Sequence, residues 1–371
     1  MSHYNDIVMN IQHPKRDIEW IFDIKKKVPL FLEKMKNLNR DGMYKYSFSG
    51  DIFGYKIKWG LGNSVFFLKI IYVLGLKEEN YQDIINAINY IQTFQRKDGS
   101  FYDPLIRILS YPFRILNSLK SLNFSNLRYK ENKRAETRQS ISALHSFGVK
   151  PKYPYKEIPK SIKQIKKYVE NLEWPLPWGA GSHFSHMIFF LKHSELKNKM
   201  ELINYALDYV KKLQNDDGFW YKGSPASRQK INGAMKIITS LKVIDNVKFK
   251  SPEKIIDLCL SAKHEGEACD NFNIIYVLKY CNDLTQGQYR YSEIVDLVYK
   301  YLDNYKEYYF ADIGGFSFYK KRAISNYYGA NIGLGKNEPD LHGTHLFLWG
   351  ICMIAQILGI NDKLKFKEII P

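Results

Sequence analysis

A chain of 371 residues that is 45% hydrophobic, 15% aromatic and 25% charged can bury a large core and is too apolar for intrinsic disorder. Lys and Arg outnumber Asp and Glu by 55 to 38, giving a net charge of +17, an excess that favours an anionic partner such as a diphosphate, an acidic glycan or an anionic membrane. The four cysteines, Cys259, Cys269, Cys281 and Cys352, form no CxxC and no disulfide-type spacing, which argues against a secreted disulfide scaffold and for a reducing, cytoplasmic compartment.

The opening MSHYNDIVMN has neither a basic nor an apolar signal region, so no secretory leader is expected. A proline-interrupted helix is expected over Pro14 to Met35, followed by a nearly all-apolar helix beginning near Gly62-Asn63-Ser64 and closed by Gly75. Ile84, Ala87, Ile88, Ile91 and Phe94 then recur at helical spacing and predict an amphipathic helix. Residues 104–134 interrupt the alternation with a basic, amphipathic insertion. A lid, a dimer contact or a peripheral membrane anchor are the roles such an insertion suits.

The alternation resumes with an apolar helix from Glu136-Thr137-Arg138-Gln139 to Gly148, then an amphipathic one carrying Ile162, Ile165, Val169 and Leu172. Next come an apolar helix from Gly181-Ser182-His183 and an amphipathic one over Leu202–Leu213. The pattern continues with an apolar helix from Arg228-Gln229-Lys230 and an amphipathic one opened by Ser251-Pro252-Glu253, a capping sequence. The last two pairings are an apolar helix from Glu267-Ala268-Cys269-Asp270, an amphipathic one over Ile294–Leu302, and an apolar helix from Asp340-Leu341-His342 to Gly359. That final segment, GTHLFLWGICMIAQILGI, imitates a membrane span but holds Thr344, His345 and Gln356, so an enclosed helix is expected.

Six amphipathic/apolar pairs predict an all-α protein in which the apolar helices pack inside and the amphipathic ones face water. Closure gives an (α/α)6 toroid, forming one domain over residues 1–371; an open α-solenoid is the alternative that periodicity leaves standing. QRKDGSF at 95–101 and QNDDGFW at 214–220, with a looser ADIGGFSFYK at 311–320, mark the crossings from outer to inner helix. Asp-Gly supplies a turn, the aromatics pack beneath it, and Gln bridges helix ends. These repeats resemble the Gln-Trp-type repeats of the terpenoid cyclase and protein prenyltransferase superfamily, across roughly residues 80–360. The resemblance implies the toroid fold and an enzyme with a central cavity.

In a toroid of alternating pairs, the inner-helix N-termini meet at one mouth, where unpaired N–H groups suit an anion. Polar residues crowd these starts, and the candidate site residues are Glu136, Arg138, His183, His186, Arg228, Asn232, Glu267, Asp270, Asp340, His342 and His345. Glu267-x-Cys269 with Asp340-x-His342 resembles the zinc site of prenyltransferase β subunits, which implies a possible zinc ion. Glu stands where that site has Asp, and aligning Asp340 and Thr344 places Gly343 at the His position. No DxDD acid run of the squalene-type cyclases is present; Asp270 is the nearest acid.

Three functions fit this pattern. One is an enzyme cyclising or transferring an isoprenoid diphosphate. A second is a lyase, epimerase or hydrolase of an acidic polysaccharide, in which His183 or His186 acts as base and Arg138, Arg228 or Asn232 neutralises a carboxylate. The third is a non-catalytic toroid binding a glycan, lipid or partner. Nucleic acid is not expected, because the charge comes without a binding motif.

Overall fold

The computed structural model describes residues 18–50, 52–54, 56–262 and 266–369. The opening decapeptide, Pro14 and Glu265 lie outside them. Among the described residues are fifteen helices and two short hairpins, so the protein is mostly helical, as expected.

Every one of the twelve anticipated helices forms. The amphipathic set is α1 (Glu19–Met35), α3 (Tyr81–Thr93), α7 (Ile162–Glu170), α9 (Lys199–Leu213), α11 (Pro252–Ser261) and α13 (Tyr291–Lys306). The apolar set is α2 (Leu61–Leu74), α6 (Lys130–Ser146), α8 (Pro177–Lys192), α10 (Ser227–Val243), α12 (Ala268–Leu284) and α14 (Leu341–Ile357). The insertion forms α4 (Pro104–Leu109) and α5 (Tyr111–Ser121), and α15 (Asn361–Leu364) follows the last pair. Two antiparallel hairpins, β1–β2 (Tyr309–Phe310 with Gly315–Phe316) and β3–β4 (Asn326–Tyr327 with Ala330–Asn331), lie between α13 and α14.

Burial follows the hydropathy pattern. All of α2 except Tyr72 is buried, whereas α9 buries only Leu202, Ile203, Ala206 and Val210. The buried hydrophobics form one cluster from Ile21 to Ile369. Contacts among the apolar helices run α2–α6–α8–α10–α12–α14 and return from α14 to α2. The span-like segment is α14, covered by α2, α12 and α13; among the described residues no helix is long and apolar enough to cross a membrane.

The repeated Gln-x-x-Asp-Gly turns show why they recur. Gln95 donates to the carbonyls of Gly99 (3.3 Å) and Tyr153 (2.7 Å) while its Oε1 accepts from the Lys152 and Tyr153 amides. Gln214 does the same with Gly218 (2.7 Å) and Lys250 (2.8 Å, and 3.1 Å from its amide). Each glutamine ties its own turn to the chain entering the next outer helix. Gly99 and Gly218 have φ of +82° and +87°, and a Cβ there would lie 2.1 Å from the Pro154 oxygen or 2.8 Å from that of Ser251. Positive φ and close approach together demand glycine. The third copy places Gly314 against Lys27 of α1 in the same manner. A fourth, Asp41-Gly42-Met43-Tyr44, seats Gly42 on Asn86 of α3; sequence reasoning passed over it, although its Asp-Gly-x-aromatic signature was there to be read.

Candidate functional site

Four of the expected site residues converge: Arg138, His186, His342 and His345 line one enclosed cavity of about 130 Å3. All six apolar helices contribute to it. Phe66 and Lys69 come from α2, Arg138 from α6, His186 from α8, Lys236 from α10, Cys269 and Phe272 from α12, and His345 and Trp349 from α14. The second residues of α8, α12 and α14 (Trp178, Cys269 and His342) are on its wall, so three helix starts do open on it.

The wall is basic. Lys69, Arg138 and Lys236 face the cavity, and among the described residues no Asp or Glu lines it. Burial, with Arg138 and Lys236 nearby, pushes Lys69 well below the usual lysine range; its Nζ donates to Gln139 Oε1. Burial and then Arg138 push Lys236 down to about 8, and burial lowers Arg138 to about 10. Arg138 therefore keeps its proton at neutral pH, Lys236 largely does, and Lys69 is the amine forced towards neutrality.

Histidines complete the lining as neutral rings. Burial and then Arg138 hold His186 well below its ordinary value. Burial and then Lys69 lower His342 to about 3 and hold His345 well below its usual range. His342 stacks on Phe66 with ring centres 4.5 Å apart. Buried polar atoms that ordinarily have partners here have none: Arg138 Nε, Nδ1 of His186 and His342, both ring nitrogens of His345, and Trp349 Nε1. They are unmet hydrogen-bonding positions on residues that line the cavity.

The remaining candidates do not line this cavity. Glu136 is not at a helix start, because α6 begins six residues earlier at Lys130. It is buried, accepts from Tyr129 Oη (2.8 Å) and the Asp103 amide (3.3 Å), and burial beside Asp103 pushes its carboxyl well above the usual range. Asp340 caps α14 through the Gly343 amide (2.7 Å) and gives its other oxygen to the amides of Phe318 (2.7 Å) and Ile324 (3.0 Å). Burial raises it to about 7 despite those bonds.

Asp270 does not stand free at a mouth. It is buried and takes Arg228 Nε at 3.0 Å on both oxygens and Asn232 Nδ2 at 2.9 Å, while Asn232 Oδ1 accepts from Asn273 (3.0 Å). Together these side chains bolt α10 to α12. Glu267 sits at the α12 N-cap position, 4.0 Å from Arg228 Nη2. The Arg228 guanidinium in turn covers the Trp178 ring at 5.2 Å.

His183 faces a second space, an open groove of about 1180 Å3 at the starts of α6 and α8. Arg134 contacts its Nδ1, Glu131 lies 4.0 Å from Nε2, and Tyr168 Oη donates to its carbonyl at 3.1 Å. Trp178 belongs to both linings and separates groove from cavity.

Against known protein families, curated proteins and solved structures the chain finds no match.

Zinc does not fit what is present. Among the described residues no group of three or more His, Cys, Asp or Glu could hold a metal ion. Both oxygens of Asp340 are committed to backbone amides. Burial and then Glu267 push the Cys269 thiol up to about 12, and the cations sharing its cavity repel another cation.

Lys69 and Lys236 were missed at the sequence level. Lys69 had a signal, a lone lysine inside an apolar helix, Phe66-Phe67-Leu68-Lys69-Ile70-Ile71; Lys236 shares its helix with Lys230 and Lys242 and did not stand out. A buried cation costs stability unless something compensates it.

Proposed function

We propose that the helices close as an (α/α)6 toroid and that the protein binds an anionic ligand at its centre, the class best matched being an isoprenoid diphosphate. The toroid reading is supported by the contact circuit from α2 round to α14 and back. The ligand reading rests on one observation: three basic side chains on three helices face a cavity whose described lining holds no carboxylate. An anion would compensate a cost that the protein alone leaves unmet. Arg138 and Lys236 suit the head group, and Phe66, Phe272 and Trp349 suit an apolar chain or a developing carbocation. The cavity is smaller than the roughly 300–1,000 Å3 of typical ligand sites, so it accommodates a head group before a chain.

The test is calorimetric titration with inorganic pyrophosphate and with farnesyl diphosphate, followed by product analysis. Binding of both, lost in Arg138→Met, is the expected result; binding of neither overturns the reading. Binding without turnover would identify a non-catalytic receptor on the same fold.

A second reading has its own observation. The open groove brings His183, Arg134 and Tyr168 together beside Trp178, a set able to stack a sugar, neutralise a uronate and move its α-proton. An acidic-polysaccharide lyase would generate an unsaturated uronate absorbance that His183→Ala abolishes. No signal across a panel of acidic polysaccharides removes it.

A further inference from the structure

The insertion carries a helix whose apolar side faces outward. Along α5 and its cap, Ser110, Arg114 and Ser118 recur every fourth residue and are buried. Arg114 donates to the Arg107 carbonyl (3.0 Å) and the Leu127 carbonyl (3.4 Å), contacts Ser110 Oγ, and lies over the Tyr129 ring at 4.8 Å. The polar stripe is thus the one turned inward, tying the helix to the segments just before and after it. The opposite stripe is apolar and open to solvent: Leu116 is 57%, Leu119 58% and Leu122 82% exposed, with Ile108, Tyr111 and Phe124 beside them. A helix on a water-facing surface ordinarily turns the other way round, and contiguous exposed apolar side chains mark an interaction surface.

The charge along this segment is basic, with Glu173 accepting from Asn123 Nδ2 (3.1 Å) and Glu131 contacting Ser125 at its far end. Arg107, Lys120, Arg128 and Lys130 are exposed along its edges, and residues 104–130 contain no Asp or Glu. We propose that α4, α5 and the turn after them form a docking surface for an anionic lipid bilayer. The helix lies in the interface plane, its Leu and Tyr side chains among the acyl chains and its basic residues at the head groups. Two copies meeting through this face would set like charges against each other, which disfavours self-association. The surface works by lying on the bilayer, since no described helix is able to cross one.

The test uses the full chain with vesicles of phosphatidylcholine alone, or containing roughly one-third phosphatidylglycerol, in a sedimentation assay. Expected is retention on the anionic vesicles that falls by about tenfold or more in high salt. The double variant Leu116→Glu/Leu119→Glu should lose a similar factor while keeping its melting temperature, because both positions are exposed. Leu38→Glu, a change of the same charge at an exposed residue of another surface, should leave binding unchanged. Three outcomes overturn the proposal: no retention on anionic vesicles, equal loss in Leu38→Glu, or a concentration-dependent dimer that the double variant dissolves. Pyrophosphate binding is independent of all three.

Discussion

At the scale of single residues, the cavity cations set stability against ligand binding. Lys69 is fully enclosed with two other basic groups for neighbours, so Lys69→Met should raise stability by roughly 1–3 kcal/mol and weaken pyrophosphate affinity. Chemical unfolding and titration on the same variant check both halves; a midpoint that falls shows Lys69 to be a structural asset instead. Lys236 makes the pH dependence explicit. Its folded value of about 8 lies below the 10.5 of an unperturbed lysine, so between those two pH values the unfolded chain binds the proton more readily. Stability contributed through Lys236 therefore rises with pH across that window. Anion binding runs the other way, weakening as pH rises through about 8, when the ammonium is lost. Affinity that is flat from pH 7 to 9 would show that Lys236 does not carry the ligand's charge. Which polar residues share the cavity was only partly legible. Arg138 and the three histidines stood out as polar residues at helix starts, yet so did Glu136 and Asp340. Telling them apart required the helix boundary at Lys130 and the loop carrying Phe318 and Ile324, neither of which has a period.

At the scale of elements, the sequence exposed far more. Helix identity follows from which residues are apolar and how often they recur, and the contrast between α2 and α9 is plain in the chain itself. The turns were legible as well, because Asp-Gly preceding paired aromatics has few other uses. Their second function was hidden, since the surface on which each glycine sits belongs to a distant segment. Gln214→Ala removes two hydrogen bonds to the Lys250 backbone and one to Gly218 of its own turn and should cost roughly 1–3 kcal/mol, with pyrophosphate affinity unaltered. Loss of affinity without loss of stability would reverse that assignment. Between α8 and α10, Gly181 and Gly233 allow close approach: a Cβ on Gly233 would meet Pro177 at 2.8 Å. Gly233→Val should lower the unfolding midpoint by the equivalent of about 1–3 kcal/mol, and an unchanged midpoint would mean that the pair repacks freely.

At the scale of the whole molecule, periodicity could say that pairs exist but not whether the array ends or returns on itself. Contacts distant in sequence bear on that question: α14 packs on α2, and Gly314 is seated on Lys27. Gly314 has φ of +95°, and its Cβ would lie 2.2 Å from the Lys27 oxygen. Gly314→Val should therefore destabilise by roughly 2–4 kcal/mol, measured by denaturant unfolding. A neutral result would show that the seat on α1 is slack.

The same seat bears on how the protein is made. The Gly314 seat on α1 is encoded nearly three hundred residues downstream of Lys27, so a nascent chain emerging from the ribosome carries that part of α1 uncovered until those residues have been made. Early pairs can form as they appear, but this joint waits until Gly314 has been made, and sequence-distant joints are slow to form. Chaperone dependence during translation, relieved by a permutant that places α1 after α14, is the physiological signature of such an arrangement.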